Sequence, residues 1–228
     1  MSGGWFITGT DTDIGKTIVT GSMARYLINQ KKTVQVLKPF SSGSWEDTLF
    51  LKKCAKSKST KTDITPFYFK YPLAPMASLE LEGRSLDKKQ IKTTLIQSIS
   101  QSADYSLVEG IGGAMVPILD NYPAMQIAKD LKLPALIVAS ISLGTINHTL
   151  MTIEVLRQQK VPIAGIILNT LSKNSDNYAA KTNPDLLRKL RDVPIWGVLP
   201  YVSKAMRVDP NALAQLFKKH IAVDTYLC

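Results

Sequence analysis

Short, nearly unbroken apolar runs recur along the chain at 5–8, 33–38, 105–109, 135–140, 163–168 and 195–199. Runs of this length without polar alternation belong to strands buried on both faces, as in a parallel sheet covered by helices. Between them the period changes. Segments at about 16–29, 46–55, 86–101, 122–131, 145–159 and 184–191 read as helices, and that at 86–101 keeps a polar face. Strands alternating with helices predict an α/β fold with a mostly parallel central sheet and helices on both faces. The stretch 60–85, interrupted by Pro66, Pro72 and Pro75, follows neither period and reads as a loop system beside the site.

Composition narrows the picture. A chain of 228 residues, 45% of them hydrophobic, supports one sizeable core, so a single domain over 1–228 is expected. No stretch approaches the roughly 20 apolar residues of a membrane span, and the first residues lack the pattern of a secretory signal. A cytoplasmic protein without a membrane partner is expected. Cys54 and Cys228 lack metal-ligand spacing and read as free thiols; His148 and His220 make no metal site alone. The net charge of +10 includes a run through Lys52, Lys53, Lys56, Lys58 and Lys61. It has no interleaved aromatics and reads as a solvated face, so no nucleic-acid partner is expected.

Ligands of open α/β sheets sit beyond the carboxyl ends of the strands, so the residues after each run carry the chemistry. After the first comes Gly-Thr-Asp-Thr-Asp-Ile-Gly-Lys-Thr, ending in Gly15, Lys16 and Thr17 at a helix start. Backbone N–H groups and the positive end of a helix gather phosphate oxygens there. Lys16 can reach the outer phosphates, and the Thr17 hydroxyl can ligate Mg²⁺. The spacing departs from the usual phosphate loop, because Thr10 stands where glycine is expected and Gly9 comes one residue early. The other strand ends carry Lys38-Pro39-Phe40-Ser41-Ser42-Gly43, then Glu109-Gly110-Ile111-Gly112-Gly113, then Asn169-Thr170. The Gly-rich segment allows close backbone approach to a ligand, or simply turns the chain.

Taken together, GTDTDIGKT, KPFSSGS, VEGIGG, LGTINH and the Asn closing IILN resemble the dethiobiotin synthetase family, in the family's order from residue 4 to 200. The resemblance implies a single-domain P-loop fold and a homodimer with active sites near the subunit interface. It implies ATP-dependent carboxylation and ring closure of 7,8-diaminopelargonic acid with CO₂, through a phosphorylated carbamate, to dethiobiotin in biotin biosynthesis, with Mg²⁺ as cofactor and ATP as co-substrate. Carried over residue by residue, Lys38, Lys16 and Thr12 are catalytic, and Ser42, Gly112, Asn147 and Tyr178 bind substrate. Asp13, Ile14, Gly15, Lys16, Thr17, Ile18, Asp47, Glu109, Gly110, Ile111, Gly112, Asn169, Pro200, Tyr201 and Val202 hold the nucleotide, with Asn169 reading the adenine edge. Thr17, Asp47 and Glu109 hold the metal. Asp47 has a second reading as a helix N-cap, and Asn147 likewise. In the family the helix start bearing Asn147 comes from the neighbouring subunit and holds the substrate's carboxylate.

The rival from another class is a partitioning or positioning ATPase switch of the same superfamily, acting on DNA or membrane. Its basic charge and the segment LAQLFKKHI support it; the absence of an additional lysine early in the phosphate loop opposes it. A signalling GTPase is excluded, because Asn169-Thr170-Leu171-Ser172 lacks the Asn-Lys-x-Asp guanine reader.

Overall fold

The computed structural model describes residues 3–99, 102–173, 178–190 and 192–227. In chain order the elements are β1 (Gly3–Gly9), α1 (Lys16–Asn29), β2 (Val34–Leu37), β3 (Phe40–Ser42), α2 (Glu46–Cys54), α3 (Lys61–Ile64), β4 (Phe67–Phe69), α4 (Pro75–Leu81), α5 (Lys88–Ser98), β5 (Tyr105–Gly113), β6 (Pro117–Leu119), β7 (Tyr122–Pro123), α6 (Gln126–Leu131), β8 (Ala135–Ser140), α7 (Thr145–Gln158), β9 (Ile163–Asn169), α8 (Tyr178–Leu190), β10 (Ile195–Leu199), α9 (Lys204–Arg207), α10 (Pro210–His220) and α11 (Val223–Tyr226).

The main sheet runs β10-β9-β8-β1-β5-β2, with every neighbouring pair parallel. β1 lies between β5 and β8, so the chain leaves it to build the sheet on both sides. That reversal opens a crevice at the carboxyl end of β1, flanked by the ends of β5 and β8. Alternate side chains serve opposite faces. Phe6, Val108 and Ile137 pack with Ile91, Leu95, Ile153 and Leu187 from α5, α7 and α8. Ile7, Leu107 and Val138 pack with Val19, Met23, Leu213 and Phe217 from α1 and α10. Burial on both faces is why these strands carry no polar alternation.

Several elements depart from the sequence reading. The stretch 60–85 is not all loop: it holds α3, β4 and α4, and β4 pairs in parallel with β3. Phe40 stacks with Phe67 and Phe69 at 4.9 and 6.4 Å, an aromatic cluster too local for a periodicity argument to find. The helix expected from 122 begins at Gln126, because Tyr122–Pro123 pairs with β6 in a hairpin. The helix expected from 184 begins at Tyr178 and carries Pro184 inside it, although proline more often marks a helix start. Residues 100, 101 and 191, at the ends of predicted helices, and Cys228 lie outside the described residues.

The C-terminal segment packs on the core. Ile221 bridges to Gly197, Tyr226 stacks on Trp196 at 5.0 Å, and the Tyr105 hydroxyl donates to the Leu227 carbonyl at 3.2 Å. Among the described residues no helix is long and apolar enough to cross a membrane.

Candidate active site

The loop between β1 and α1 rises from the centre of the sheet. The Thr10 N–H donates to the Val138 carbonyl at 3.0 Å, which ties the loop to β8. Asp13 and Gly15 both take positive φ, 55° and 85°, and Gly15 caps α1. The Lys16 ammonium donates to the Asp11 carbonyl at 2.9 Å, so the side chain lies along the loop it belongs to.

Three further segments deliver charge to the same place. Lys38 follows β2, Asp47 lies in the first turn of α2, and Glu109 lies on β5. The Lys38 ammonium is 2.7 Å from Glu109 Oε1 and 2.9 Å from Asp47 Oδ2. The Thr17 hydroxyl donates to the same Glu109 Oε1 at 2.7 Å. Glu109 is 0% exposed and Lys38 only 5%. A buried carboxylate is tolerable there because it is paired and hydrogen-bonded. Asp47 does not cap α2: Trp45 holds the cap position, and the Ser44 hydroxyl accepts from the Glu46 N–H at 3.0 Å. The N-cap reading of Asp47 is therefore corrected, since its carboxylate is engaged by Lys38.

The two lysines are displaced in opposite directions. Burial lowers the Lys16 pKa below the ordinary lysine value, and the Glu109 charge does not offset it. Burial is also the largest influence on Lys38, but the Glu109 and Asp47 carboxylates together outweigh it and hold its pKa above the ordinary value.

These groups line a cavity of about 1070 Å³. Thr12, Asp13, Gly15, Lys16, Thr17 and Ile18 line one side, and Lys38, Ser41, Ser42, Asp47, Glu109, Ile111 and Gly112 line it from other segments. Two buried oxygens among them have no hydrogen-bond partner, Glu109 Oε2 and Ser42 Oγ. Unpaired buried oxygens cost about 1–3 kcal/mol each, a cost that persists in native proteins mainly where a ligand or ion completes the set. Thr17, Asp47 and Glu109 are hard oxygen donors, and the orphan Glu109 oxygen among them fits Mg²⁺. Among the described residues no group of three or more His, Cys, Asp or Glu is placed to hold a metal ion, so such an ion would also need phosphate or water oxygens.

A family model for an AAA domain matches residues 4–209. The ATP-dependent dethiobiotin synthetase BioD of Bacillus subtilis (strain 168) is 39% identical, over 96% of this chain and 94% of its own. BioD of Nitrosopumilus maritimus (strain SCM1) is 34% identical, over 97% and 98%. The chain belongs to the dethiobiotin synthetase family. A ParA family ATPase from Chlorobium tepidum TLS superposes with a TM-score of 0.60 at 17% identity, covering 100% of this chain and 99% of its own. The MinD cell division protein of Aquifex aeolicus gives 0.58 at 16%, covering 95% and 96%. At those identities the likeness shows the P-loop fold alone. The switch reading thus has fold support that the synthetase reading shares, while the sequence relatives favour the synthetase.

Not every residue carried over from the family lies on the cavity wall. Gly110 is buried in β5, which continues through Gly113 instead of ending at Glu109; a Cβ on Gly110 would stand 2.8 Å from Phe6. The Gly-rich segment is therefore strand rather than turn, with only Gly112 at positive φ. Ile14 is buried beneath the loop, and Val202 is buried in the core cluster on the α1 side. Pro200 and Tyr201 follow β10 and are half-buried. Asn169 is 5% exposed, and its amide donates to the Ile14 carbonyl at 2.9 Å. Asn147 is exposed on the first turn of α7 and reaches Met151 Sδ at 3.4 Å; Tyr178 is 90% exposed at the start of α8. Neither lines the cavity of its own chain.

Sequence reasoning missed Glu46, Phe50 and Arg207 on the cavity wall. Glu46 is adjacent to Asp47, so the helical register of α2 could have flagged it. Arg207 belongs to a four-residue helix without a motif, and nothing in the sequence marks it. Pro72, Leu73 and Ala74 do line the cavity, in keeping with a loop region beside the site.

Proposed function

We infer that this chain is an ATP-dependent dethiobiotin synthetase, a ligase, and that the cavity is where 7,8-diaminopelargonic acid, CO₂ and ATP meet. The observation that carries this reading is the buried Lys38–Glu109–Thr17 cluster beside Lys16 in one cavity, in a member of that family.

One amine of the substrate adds to CO₂ and loses a proton, giving a carbamate. A carbamate is a poor electrophile, so its oxygen accepts the γ-phosphoryl group of ATP and ADP leaves. The second amine then attacks the activated carbon, inorganic phosphate departs, and the ureido ring closes. Phosphoryl transfer of this kind depends on positioning and on cations placed where charge develops. Lys16 meets the outer phosphates. Lys38, held by two carboxylates, faces the carbamate and the transferring phosphoryl group. The Thr12 hydroxyl and the unpartnered Ser42 hydroxyl orient carbamate oxygens and amine protons. Ile18, Ile111, Asp13 and Gly112 complete the walls. When bound, Mg²⁺ would be held by Thr17, Asp47 and Glu109, and would neutralise phosphate charge.

The chain works as one domain over 1–228, in the cytoplasm, and as a homodimer. Leu143 and Met151 are 90% and 59% exposed around Asn147, an apolar rim on a helix start that its own cavity does not use. In a dimer Asn147, with Tyr178, serves the partner's substrate. Purified protein supplied with diaminopelargonate, bicarbonate and MgATP is expected to yield dethiobiotin and ADP by mass spectrometry. Folded protein that gives no product sinks the assignment; turnover stimulated by DNA or lipid in place of diaminopelargonate supports the switch.

A further inference from the structure

The hydrogen bond from Asn169 to the phosphate loop gives this residue a role separate from reading a base. Asn169 ends β9, and its own backbone is fixed on both sides. Its carbonyl accepts from the Ile141 N–H at 3.2 Å, and the next residue's N–H donates to the Leu199 carbonyl at 2.9 Å. The side chain therefore stands on a rigid post between β8 and β10. Its Nδ2 donates to the Ile14 carbonyl at 2.9 Å. It packs so closely under the loop that a Cβ on Gly15 would lie 2.1 Å from it.

A peptide unit is planar and trans, so its C=O and N–H point in opposite directions. Holding the Ile14 carbonyl toward Asn169 turns the Gly15 N–H away from Asn169. Gly15 lines the cavity and precedes the first turn of α1, where loop N–H groups collect phosphate oxygens. We propose that Asn169 is a positioning residue for triphosphate binding: through the Ile14 carbonyl it fixes the plane of the Ile14–Gly15 peptide and so aims the Gly15 N–H at phosphate. A carboxamide has two N–H donors and an acceptor oxygen, so one donor on the loop is compatible with a base contact by the rest. The base end and the phosphate end of the site are then coupled through one side chain. This rests on the reading of the cavity as a nucleotide site.

Inorganic tripolyphosphate has the phosphates of ATP without ribose or base, which separates the two roles. Its affinity and that of ATP are measured by calorimetry for the unaltered chain, Asn169→Ala and the near-isosteric Asn169→Leu, neither of which adds charge. Loss of a buried hydrogen bond that orients a donor is expected to weaken tripolyphosphate about tenfold, and ATP at least as much, while the melting temperature of the ligand-free variants falls by only several degrees and they stay folded at the assay temperature. Weakened ATP with unchanged tripolyphosphate makes Asn169 a base contact only and overturns the proposal. So does no change in either ligand. If the unaltered chain does not bind tripolyphosphate, the phosphate-site reading falls first and the proposal falls with it. Should neither variant fold, the unaltered chain decides by ¹⁵N NMR. Slow exchange of the Asn169 side-chain amide protons with water is expected, and exchange as fast as that of an exposed Asn overturns the proposal.

Discussion

Lys38 and Glu109 form a buried pair whose worth can be worked out from their surroundings. Lys38→Met leaves Glu109, 0% exposed, with the Thr17 hydroxyl and an already orphaned second oxygen. Breaking one side of a buried pair costs about 3–5 kcal/mol. Glu109→Leu still leaves Lys38 paired with Asp47, a half-exposed carboxylate that compensates part of its charge, so the cost falls near the lower end, roughly 3 kcal/mol. For a chain of this size each kcal/mol moves the melting temperature by about 2–4 °C, so either single change should lower it by roughly 6–20 °C. The double variant Lys38→Met/Glu109→Leu removes both charges and the orphan oxygen together. It forfeits the Thr17 bond, about 1 kcal/mol, and gains apolar packing, so its stability should return to within about 2 kcal/mol of the original. Asp47→Asn alone should cost about 0–1 kcal/mol. Calorimetry of the ligand-free variants, with agreement of calorimetric and van't Hoff enthalpies as the two-state check, measures all four. A double variant whose loss equals the sum of the single losses would refute the reasoning, because the two charges would then not depend on each other.

Three further outcomes follow from the same structure. Lys16→Met should weaken ATP binding by about tenfold or more, whereas Lys38→Met should lower kcat by about 10²–10³ with ATP affinity nearly kept; calorimetry and steady-state rates separate the two. Burial pushes the Cys54 thiol up to about 11 from 9.0, so it should react with a thiol reagent at pH 8 only on unfolding. Because the folded state keeps the proton longer than the unfolded chain, this group's contribution to stability is complete below pH 9 and is lost as pH rises through about 11, and Cys54→Ala should flatten that part of the stability profile. Ending the chain at His220 removes buried Ile221, Val223 and Leu227 and the Tyr226 stack on Trp196. At about 1.5–3 kcal/mol per buried side chain, the truncated protein should be largely unfolded at 37 °C by circular dichroism.

Much of the sheet was legible because its strands are buried on both faces, and an apolar run such as 135–140 then has one consistent reading. The candidate site was legible where a residue type has a narrow chemical use at a strand end, as with Lys16, Thr17, Lys38 and Glu109, which the fold brings to one cavity. What escaped had no such signature. The continuation of β5 through its glycines depends on Phe6 packing against Gly110 from the neighbouring strand, a contact that no local pattern encodes. The β3–β4 pair depends on aromatics from separate segments meeting in space. Arg207 reaches the cavity through the fold of the C-terminal segment, which is fastened by Lys53 donating to the Val208 carbonyl at 2.8 Å. The same basic run that read as a solvated face thus contributes a structural tether.

The contrast between Lys16 and Lys38 explains how one cavity can use two buried ammonium groups for different ends. Lys38 lies between two carboxylates, so its desolvation is offset before any ligand arrives. An anion reaching it gains a placed donor but must compete with Glu109 and Asp47, which limits its share of ground-state affinity and leaves its value for the charge that develops during transfer. Lys16 is under-compensated: burial lowers its pKa more than the Glu109, Asp47 and Asp13 charges raise it, and a neutral carbonyl, that of Asp11, is its hydrogen-bond acceptor. A phosphate oxygen replacing that carbonyl would put a negative charge in direct contact with the ammonium, so binding itself would relieve the unfavourable state of Lys16. In the proposed synthetase, affinity is then expected to reside with the under-compensated lysine and rate with the compensated one. Glu109 makes that division possible by standing fully buried between Thr17 on one side and Lys38 on the other.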